Sequence, residues 1–346
     1  MMTVESLVIE PLVKWLVMKM KKMIVVTEFT QPFQWNKVWT EERQLKNNVI
    51  VESVNVLSYL TVELNSDIIR KADLIFVYCS RTCKGGEWFR LPLEVKKFMK
   101  PKAKMIAQFD SEFIWLINPE GVQWDSKRDL EQYKGVSPQK FFEENRVLDV
   151  ADAYFTVLEN PFWARYTKKP VYYMPLPQLI RYPLTINKMN REKEGKTIAV
   201  LRHSARGASI KHIIQNVINP LKKAVFVFSC LPNQFLVGKR YIDTLQKCYI
   251  GIDDAEGYAG WSRFTMECGL LAIPCVGSTY ATKLFFPELY TKHKDYVKQR
   301  ELVQRLYEDK KFYKKVAEEG RKRVLEHLDS DKLCQRFVRI AKEIGV

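Results

Sequence analysis

The sequence predicts an α/β protein made of two doubly wound, Rossmann-like domains. Two observations predict this class. Short apolar segments rich in β-branched residues alternate with helix-length segments, and the alternation restarts after a proline-stiffened stretch in the middle of the chain. The chain has 346 residues, which is enough for two complete hydrophobic cores.

The first alternating set occupies residues 23–172, and we expect it to form the N-terminal domain. Its apolar segments have no polar alternation, as is typical of parallel strands that are buried on both faces. We predict strands at 23–29, 48–57, 74–79, 104–110 and 152–159, and helices at 36–47, from 66, at 88–99 and at 138–149.

Residues 171–178 (VYYMPLPQ) are predicted to be an extended crossing between the domains, because Pro175 and Pro177 stiffen the chain. The second set then fills a C-terminal domain, 173–330, and residues 331–346 are expected to form a helix that returns to the first domain. We predict strands at 197–201, 224–229, 248–253 and 273–277, a helix at 209–221 that Pro220 ends, a helix at 238–247, a helix around Glu267, and helical structure over 298–345.

Composition limits the partners. A formal net charge of +16 favours an anionic partner, which is a phosphorylated ligand, an acidic membrane surface or, less favoured, a nucleic acid. The seven cysteines include no CxxC pair and no arrangement that suits zinc, so we expect reduced, buried thiols in a cytoplasmic protein.

The N-terminal segment, residues 1–22, is amphipathic but too interrupted by charge and proline to span a membrane. It leaves open a peripheral location at an anionic membrane surface, because apolar and basic side chains together can form an interfacial anchor. The alternatives are a helix packed on the domain or a chain start at Met23. The anchor residues would be Leu12, Trp15, Leu16, Met18, Lys19, Lys21 and Lys22.

The stretch 251–278 is predicted to hold phosphate. A glycine-rich turn there leads into a helix, and a helix start presents unpaired N–H groups and the positive end of a dipole. This turn contains Gly257, Tyr258, Ala259 and Gly260 and is followed by Ser262 and Arg263. Ser262 is equally consistent with a helix cap.

Two carboxylates, Glu28 and Asp110, follow predicted strands of the first domain. Ligands of doubly wound sheets collect at the carboxyl ends of the strands, so these side chains are candidates for an acceptor site. The alternative is that each caps the next helix or is solvated.

Four segments resemble the GT-B glycosyltransferases. They are AYFTVLENPFWARYTKKPVYYMPLP, AVLRHSARG, the span from Glu267 to Pro274, and the C-terminal helices from LVQRLYEDKKFYKK onwards. The chain is most similar to the retaining class with a Glu-x7-Glu motif, known as family 4-like or "group 1". The resemblance covers residues 150–346 well and 1–150 only as a strand–helix alternation. It implies two Rossmann-like domains that face a cleft.

The resemblance also implies roles for single residues. Glu267 matches the second glutamate of the motif, which holds the donor ribose hydroxyls. Arg202 and Arg206 match the basic pair that holds the donor diphosphate, and Lys211 on the following helix could replace one of them. Two cations there would stabilise the leaving group, so no metal and no cofactor are expected.

One position departs from the motif. Eight residues before Glu267 the chain has Ala259, and the nearest upstream acid is Glu256. Either the loop is longer and Glu256 contacts the sugar, or the backbone amides of 257–260 replace the missing carboxylate. The identity of the donor sugar and the assignment of a retaining mechanism both depend on which of these two alternatives holds.

The function implied is a hexosyltransferase that moves a sugar from a nucleotide-diphosphate donor, a UDP or GDP sugar, onto a carbohydrate, lipid or other glycosyl acceptor. Glu256 and Asp110 are the candidate catalytic residues. Two alternatives remain: a GT-B sugar-nucleotide epimerase, and a basic nucleic-acid- or membrane-binding protein with a decayed GT-B site.

Overall fold

The computed structural model describes residues 21–27, 39–55, 59–79, 90–109, 137–157, 161–175, 196–202, 210–229, 239–254, 262–327 and 329–346. They form two compact units. The first contains the described residues up to 175 together with those from 329 onwards, and the second contains those from 196 to 327.

A six-stranded, fully parallel sheet is the centre of the first unit. The strand order is β2-β1-β3-β4-β5-β6. Every residue of β3 is buried, as expected for a strand covered on both faces. The strands are β1 (Lys21–Thr27), β2 (Val49–Asn55), β3 (Leu74–Cys79), β4 (Lys104–Phe109), β5 (Ala153–Thr156) and β6 (Val171–Tyr173).

The strand β6 corrects one expectation. The segment Val171–Tyr173 was predicted to belong to an extended crossing, but it pairs with β5, Tyr154 opposite Val171. Two neighbouring tyrosines favour a strand, and the two prolines expected to stiffen the crossing come only after it. The prediction of the other five strands is confirmed, with ends that agree within three residues.

Short helices connect the strands of the first unit. Thr40 caps the first of them through a bond from Arg43 N to its Oγ1, and Ser137 caps the fifth through Lys140 N. The helices are α1 (Glu41–Asn47), α2 (Tyr59–Leu64), α3 (Ser66–Arg70), α4 (Leu91–Lys96) and α5 (Pro138–Asn145).

The last helix of the chain packs on this first sheet. The ring of Phe337 lies 5.3 Å from that of Phe76 and 5.2 Å from that of Phe155. At the start of the same helix, Asp331 Oδ1 accepts a hydrogen bond of 2.5 Å from Arg43 Nε. The core of the first unit therefore includes residues from both ends of the described chain.

The second unit has a four-stranded parallel sheet with the order β10-β9-β7-β8. In each sheet the first strand in sequence lies between the second and the third. The order in which the chain adds strands to the sheet therefore reverses between β1 and β3, and between β7 and β9. Ligands of doubly wound sheets bind at such places, outside the carboxyl ends of the strands. The strands are β7 (Ile198–Arg202), β8 (Val225–Ser229), β9 (Ile250–Asp253) and β10 (Cys275–Gly277), all close to prediction.

The helices of the second unit are α6 (Ile210–Ile213), α7 (Lys239–Gln246), α8 (Arg263–Leu270), α9 (Tyr280–Phe285), α10 (Tyr296–Glu308) and α11 (Lys310–His327); α12 (Ser330–Glu343) is the helix on the first sheet. The predicted helix 209–221 is α-helical only as far as Ile213. It continues as a π-helix (Ile214–Ile218) and a 3₁₀ turn (Asn219–Leu221), because Pro220 has no N–H with which to continue the α-helical ladder.

Two glycines allow close packing beside the second sheet. A Cβ on Gly251 would lie 2.8 Å from Cys268 Sγ, and one on Gly277 would lie 2.0 Å from the carbonyl oxygen of Asp253. The described cysteines form no disulfide with one another and are buried, as predicted: Cys79, Cys248, Cys268, Cys275 and Cys334. None of the described helices combines the length and apolar character needed to cross a bilayer.

Candidate functional site

The candidate site lies at the place where the strand order of the second sheet reverses, between β7 and β9. Val200 of β7 pairs with Ile252 of β9, so the ends of these strands, Arg202 and Asp253, are near neighbours on the carboxyl edge. The loops that follow both strands, 203–209 and 255–261, lie outside the described residues. The described residues at the ends of these segments, and the side chains bonded to them, are called the frame below.

Asp253 joins the end of β9 to the start of α8. Its fully buried carboxylate accepts hydrogen bonds from Ser262 Oγ and, at 2.7 Å, from Thr265 Oγ1. Ser262 Oγ in turn accepts a bond from Thr265 N and so caps α8. The structure thus places Ser262 as a cap whose hydroxyl hydrogen is directed to Asp253. Both ends of the 255–261 loop are held by one cluster.

Asp254 joins three further segments. Its carboxylate is buried and accepts hydrogen bonds from Ser278 Oγ at 2.8 Å and from Lys294 N at 3.4 Å. Nδ1 of His293 lies 3.3 Å from the same carboxylate. This single side chain therefore connects the end of β9, the residue after β10 and the segment that leads into α10.

Glu267 is half-buried in the second turn of α8. Its Oε2 accepts a hydrogen bond of 2.5 Å from Tyr241 Oη on α7. Burial raises the pKa of Glu267, while the hydrogen bond from Tyr241 and the positive charge of Arg263 act in the opposite direction. Burial and the adjacent carboxylate raise the pKa of Tyr241 well above its usual range, so the phenol stays protonated and remains a donor. One carboxylate oxygen is thus held in place.

The remaining described candidates surround this frame. Arg202 is the last residue of β7, and Arg263 is exposed at the first position of α8. Lys211 is exposed on α6, which follows the loop after β7. The other predicted residues lie outside the described part of the chain: Glu28, Asp110, Arg206, Glu256, Gly257, Tyr258, Ala259 and Gly260.

Sequence reasoning missed two polar side chains near this frame, Tyr241 and Tyr296. Tyr296 Oη is buried without a hydrogen-bond partner among the described residues, and burial together with the Asp254 carboxylate raises the pKa of this phenol. A buried, unused donor beside a ligand site can be satisfied by the ligand. No pattern in the sequence separates these tyrosines from the other fourteen of the chain.

Among the described residues, no group of three or more His, Cys, Asp or Glu side chains is arranged to hold a metal ion. The carboxylates of this frame instead accept hydrogen bonds from hydroxyl and backbone N–H groups. The frame is therefore an assembly of hydrogen bonds that fixes the residues on both sides of segment 255–261 and the Glu267 carboxylate.

Comparison with known proteins identifies the architecture. No protein-family model matches the chain, and no curated protein matches it in sequence. Solved structures do match. The α,α-trehalose 6-phosphate synthase of Burkholderia multivorans has a TM-score of 0.61 at 10% identity, over 94% of this chain and 97% of that one.

Two other solved structures are similar over nearly their whole length. The HepE protein of Anabaena, in complex with UDP and glucose, has a TM-score of 0.59 at 10% identity, over 93% of this chain and 99% of that one. The UDP-forming α,α-trehalose-phosphate synthase of Burkholderia vietnamiensis has a TM-score of 0.60 at 9% identity, over 94% and 100%. The chain has the GT-B fold, as predicted.

Proposed function

We propose that this chain, which has the GT-B fold, is a glycosyltransferase that uses a nucleotide-diphosphate sugar, most simply a UDP sugar, as its donor. The observation that carries the proposal is the Glu267 carboxylate on α8, held by Tyr241, on the helix that follows β9. The structurally similar HepE was solved with UDP-glucose, and the similar synthases are described as UDP-forming or as trehalose 6-phosphate synthases.

The donor ribose would bind at Glu267. A carboxylate accepts hydrogen bonds from hydroxyl groups, and a vicinal diol supplies two of them. Because Oε2 already accepts a bond from Tyr241, Oε1 is the oxygen that can accept from the ribose without competition. The ionised form is the stronger acceptor, so the bond from Tyr241 and the charge of Arg263 both favour donor binding.

The donor diphosphate would bind between Arg202, Arg206 and Lys211 on one side and the loop amides of 257–260 with Arg263 on the other. Transfer breaks the bond between the anomeric carbon and the diphosphate oxygen and forms a bond to an acceptor oxygen. Negative charge develops on the leaving diphosphate, and fixed cations and N–H groups stabilise it without a metal.

We infer that transfer retains the anomeric configuration, since the chain resembles the retaining class. Either Glu256 or the amides of 257–260 would contact the sugar, and Asp110 would face the acceptor, a carbohydrate, lipid or other hydroxyl compound. The alternative epimerase would convert the nucleotide sugar without any acceptor. Product analysis with and without candidate acceptors therefore separates the two activities.

Calorimetric titration with UDP, GDP and their sugars tests the proposal. We expect a nucleoside diphosphate to bind, and Glu267→Ala to weaken it about tenfold or more, as for the loss of a hydrogen bond to a charged group. Glu326→Ala, at an exposed acid on α11, is the matched control and should bind as the wild type does.

Two results would contradict the proposal at different levels. If no nucleoside diphosphate binds at high micromolar concentration, the glycosyltransferase function is wrong. If binding occurs but is the same in Glu267→Ala, the function stands and the assignment of the ribose to Glu267 is wrong.

A further inference from the structure

The amino-terminal edge of the six-stranded sheet is basic. All six strands are parallel, so the residues that precede or open the strands lie along one edge. Lys21 opens β1, Lys71 precedes β3, Lys102 precedes β4, and Lys168 and Lys169 precede β6. All five side chains are exposed.

Carboxylates do not neutralise this row. The acids in the segments that lead into the strands already have basic partners: Asp67 with Arg70, Asp73 with Lys100, Asp149 with Arg146, and Asp152 with Lys104. In contrast, Lys71, Lys102, Lys168 and Lys169 form no ion pair with any described residue. No described carboxylate therefore lies within ion-pair distance of these four lysines.

Interaction with helix dipoles explains the positions of only some of these lysines. Basic residues are favoured at helix C-termini, and Lys71 is the C-cap of α3. Lys102 lies beyond the end of α4, and Lys168 and Lys169 lie between a 3₁₀ turn and β6, so none of these three is in the last turn of an α-helix. The dipole of an α-helix therefore does not explain the positions of these three lysines.

The dimensions and apolar content of the edge favour a flat partner. From β1 to β6 the row covers four strand spacings, about 19 Å. Leu45 is 62% exposed beside the exposed Lys46, in the last turn of α1, which ends at the same edge.

A nucleic acid fits this edge less well. Proteins that bind single strands present exposed aromatic rings between their cations. The exposed large aromatic side chains among the described residues, Phe226 and Tyr290, both belong to the second unit. A row of exposed lysines beside an exposed leucine is instead typical of contact with anionic lipid.

We propose that the amino-terminal edge of the first sheet docks on the surface of an anionic lipid bilayer. The carboxyl ends of the same strands lie about 20 Å away, at the opposite edge, so the ligand-binding edge of this unit would face the solvent. The proposal does not depend on sugar transfer, since it concerns the other edge of the sheet.

Vesicle co-sedimentation of the full chain tests it. The vesicles contain phosphatidylcholine alone or with phosphatidylserine, at low salt and at about 0.15 M salt, where the Debye length is about 8 Å. A lysine near an anionic surface contributes about fivefold in affinity. Replacement of Lys71, Lys102, Lys168 and Lys169 by Gln should therefore lower affinity for the anionic vesicles by about 600-fold when all four lie near the surface.

The matched control removes the same charge from the second unit. It replaces four exposed lysines by Gln: Lys283, Lys292, Lys311 and Lys322. We expect this control variant to co-sediment with anionic vesicles as the wild type does. Neither the wild type nor the control should co-sediment with neutral vesicles. Thermal unfolding checks that both variants fold, which is expected because none of the eight side chains forms an ion pair with a described residue.

Any of four outcomes would overturn the proposal. The first is that the wild type fails to pellet with phosphatidylserine vesicles at low salt. The second is an equal loss of affinity in the two variants, which would indicate net charge and no specific edge. The third is an edge variant that pellets like the wild type. The fourth is a wild type that binds duplex DNA through these lysines and leaves vesicles unbound, which would make the partner a nucleic acid.

Discussion

Replacement of Tyr241 by Phe tests the environment of the site carboxylate directly. The substitution removes the hydroxyl that donates a hydrogen bond of 2.5 Å to Glu267 Oε2, and it keeps the ring on α7. The carboxylate then loses one of the two groups that oppose the effect of burial on its pKa, and only Arg263 remains. The pKa of Glu267 should therefore rise further in the variant.

The size of the effect depends on pH. A hydrogen bond to a charged group contributes about 1.5–3 kcal/mol. A carboxyl group whose pKa is raised by folding destabilises the fold above that pKa, and the cost disappears as the pH falls towards the value of the unfolded chain, about 4.3. Tyr241→Phe should cost about 1.5–3 kcal/mol at pH 8 and clearly less near pH 5.

Scanning calorimetry at pH 5 and pH 8 measures this. A loss of this size lowers the Tm of a domain of 150–250 residues by roughly 3–12 °C. The matched control is Tyr313→Phe. The Tyr313 hydroxyl donates a hydrogen bond of 2.9 Å to the neutral carbonyl oxygen of Tyr249. That bond should cost only about 1 kcal/mol, and equally at both pH values.

A double-mutant cycle identifies the partner. In the Glu267→Gln background the same Tyr241→Phe change should cost about 1 kcal/mol and lose its pH dependence, because the carboxamide does not titrate. The assigned pairing of Tyr241 with an ionised Glu267 is wrong if Tyr241→Phe is as stable as the wild type at pH 8. It is equally wrong if the cost is the same at both pH values, or if the cost is unchanged in the Glu267→Gln background.

Three further substitutions test the packing around the site and the first core. Gly277→Ala would bring a Cβ to 2.0 Å from the carbonyl oxygen of Asp253, so we expect a loss of about 4 kcal/mol or more, and a Tm near that of the wild type would contradict it. Asp253→Asn leaves the hydroxyls of Ser262 and Thr265 without their shared carboxylate. It should lower the free energy of unfolding by about 1–3 kcal/mol and speed proteolytic cleavage within residues 255–261. An unchanged cleavage rate would show that the cluster does not restrain this segment. Phe337→Ala should cost about 3–5 kcal/mol by calorimetry, and a loss under about 1 kcal/mol would mean that α12 contributes little to the first core.

The strands were predictable because parallel strands covered on both faces are continuous apolar runs. β3 is such a run, and its predicted and observed bounds are the same. β6 was not recognised, because its three residues are half-buried at the sheet margin and two prolines follow closely. Short marginal strands depend on a neighbour to pair with, and a local pattern contains no information about that neighbour.

The chemistry of the site was predictable in part. Glu267 could be singled out by its distance from Pro274, but its partner Tyr241 is 26 positions away and on another helix. The structural roles of Asp253 and Asp254 depend on residues as distant as Lys294. A sequence pattern shows which groups are present, while hydrogen-bond partners depend on how helices pack.

The position of α12 has a consequence for biosynthesis. The buried core residues of the second unit all lie between Ile198 and Val324, whereas the first unit includes Phe337, which covers Phe76 and Phe155. A ribosome synthesises the whole of this stretch before α12. A chain that ends before residue 329 would therefore contain every residue of the second core but would leave the face of the first sheet that Phe337 covers exposed. Such truncated chains should bind chaperones through that apolar face, whereas chains that include α12 should not.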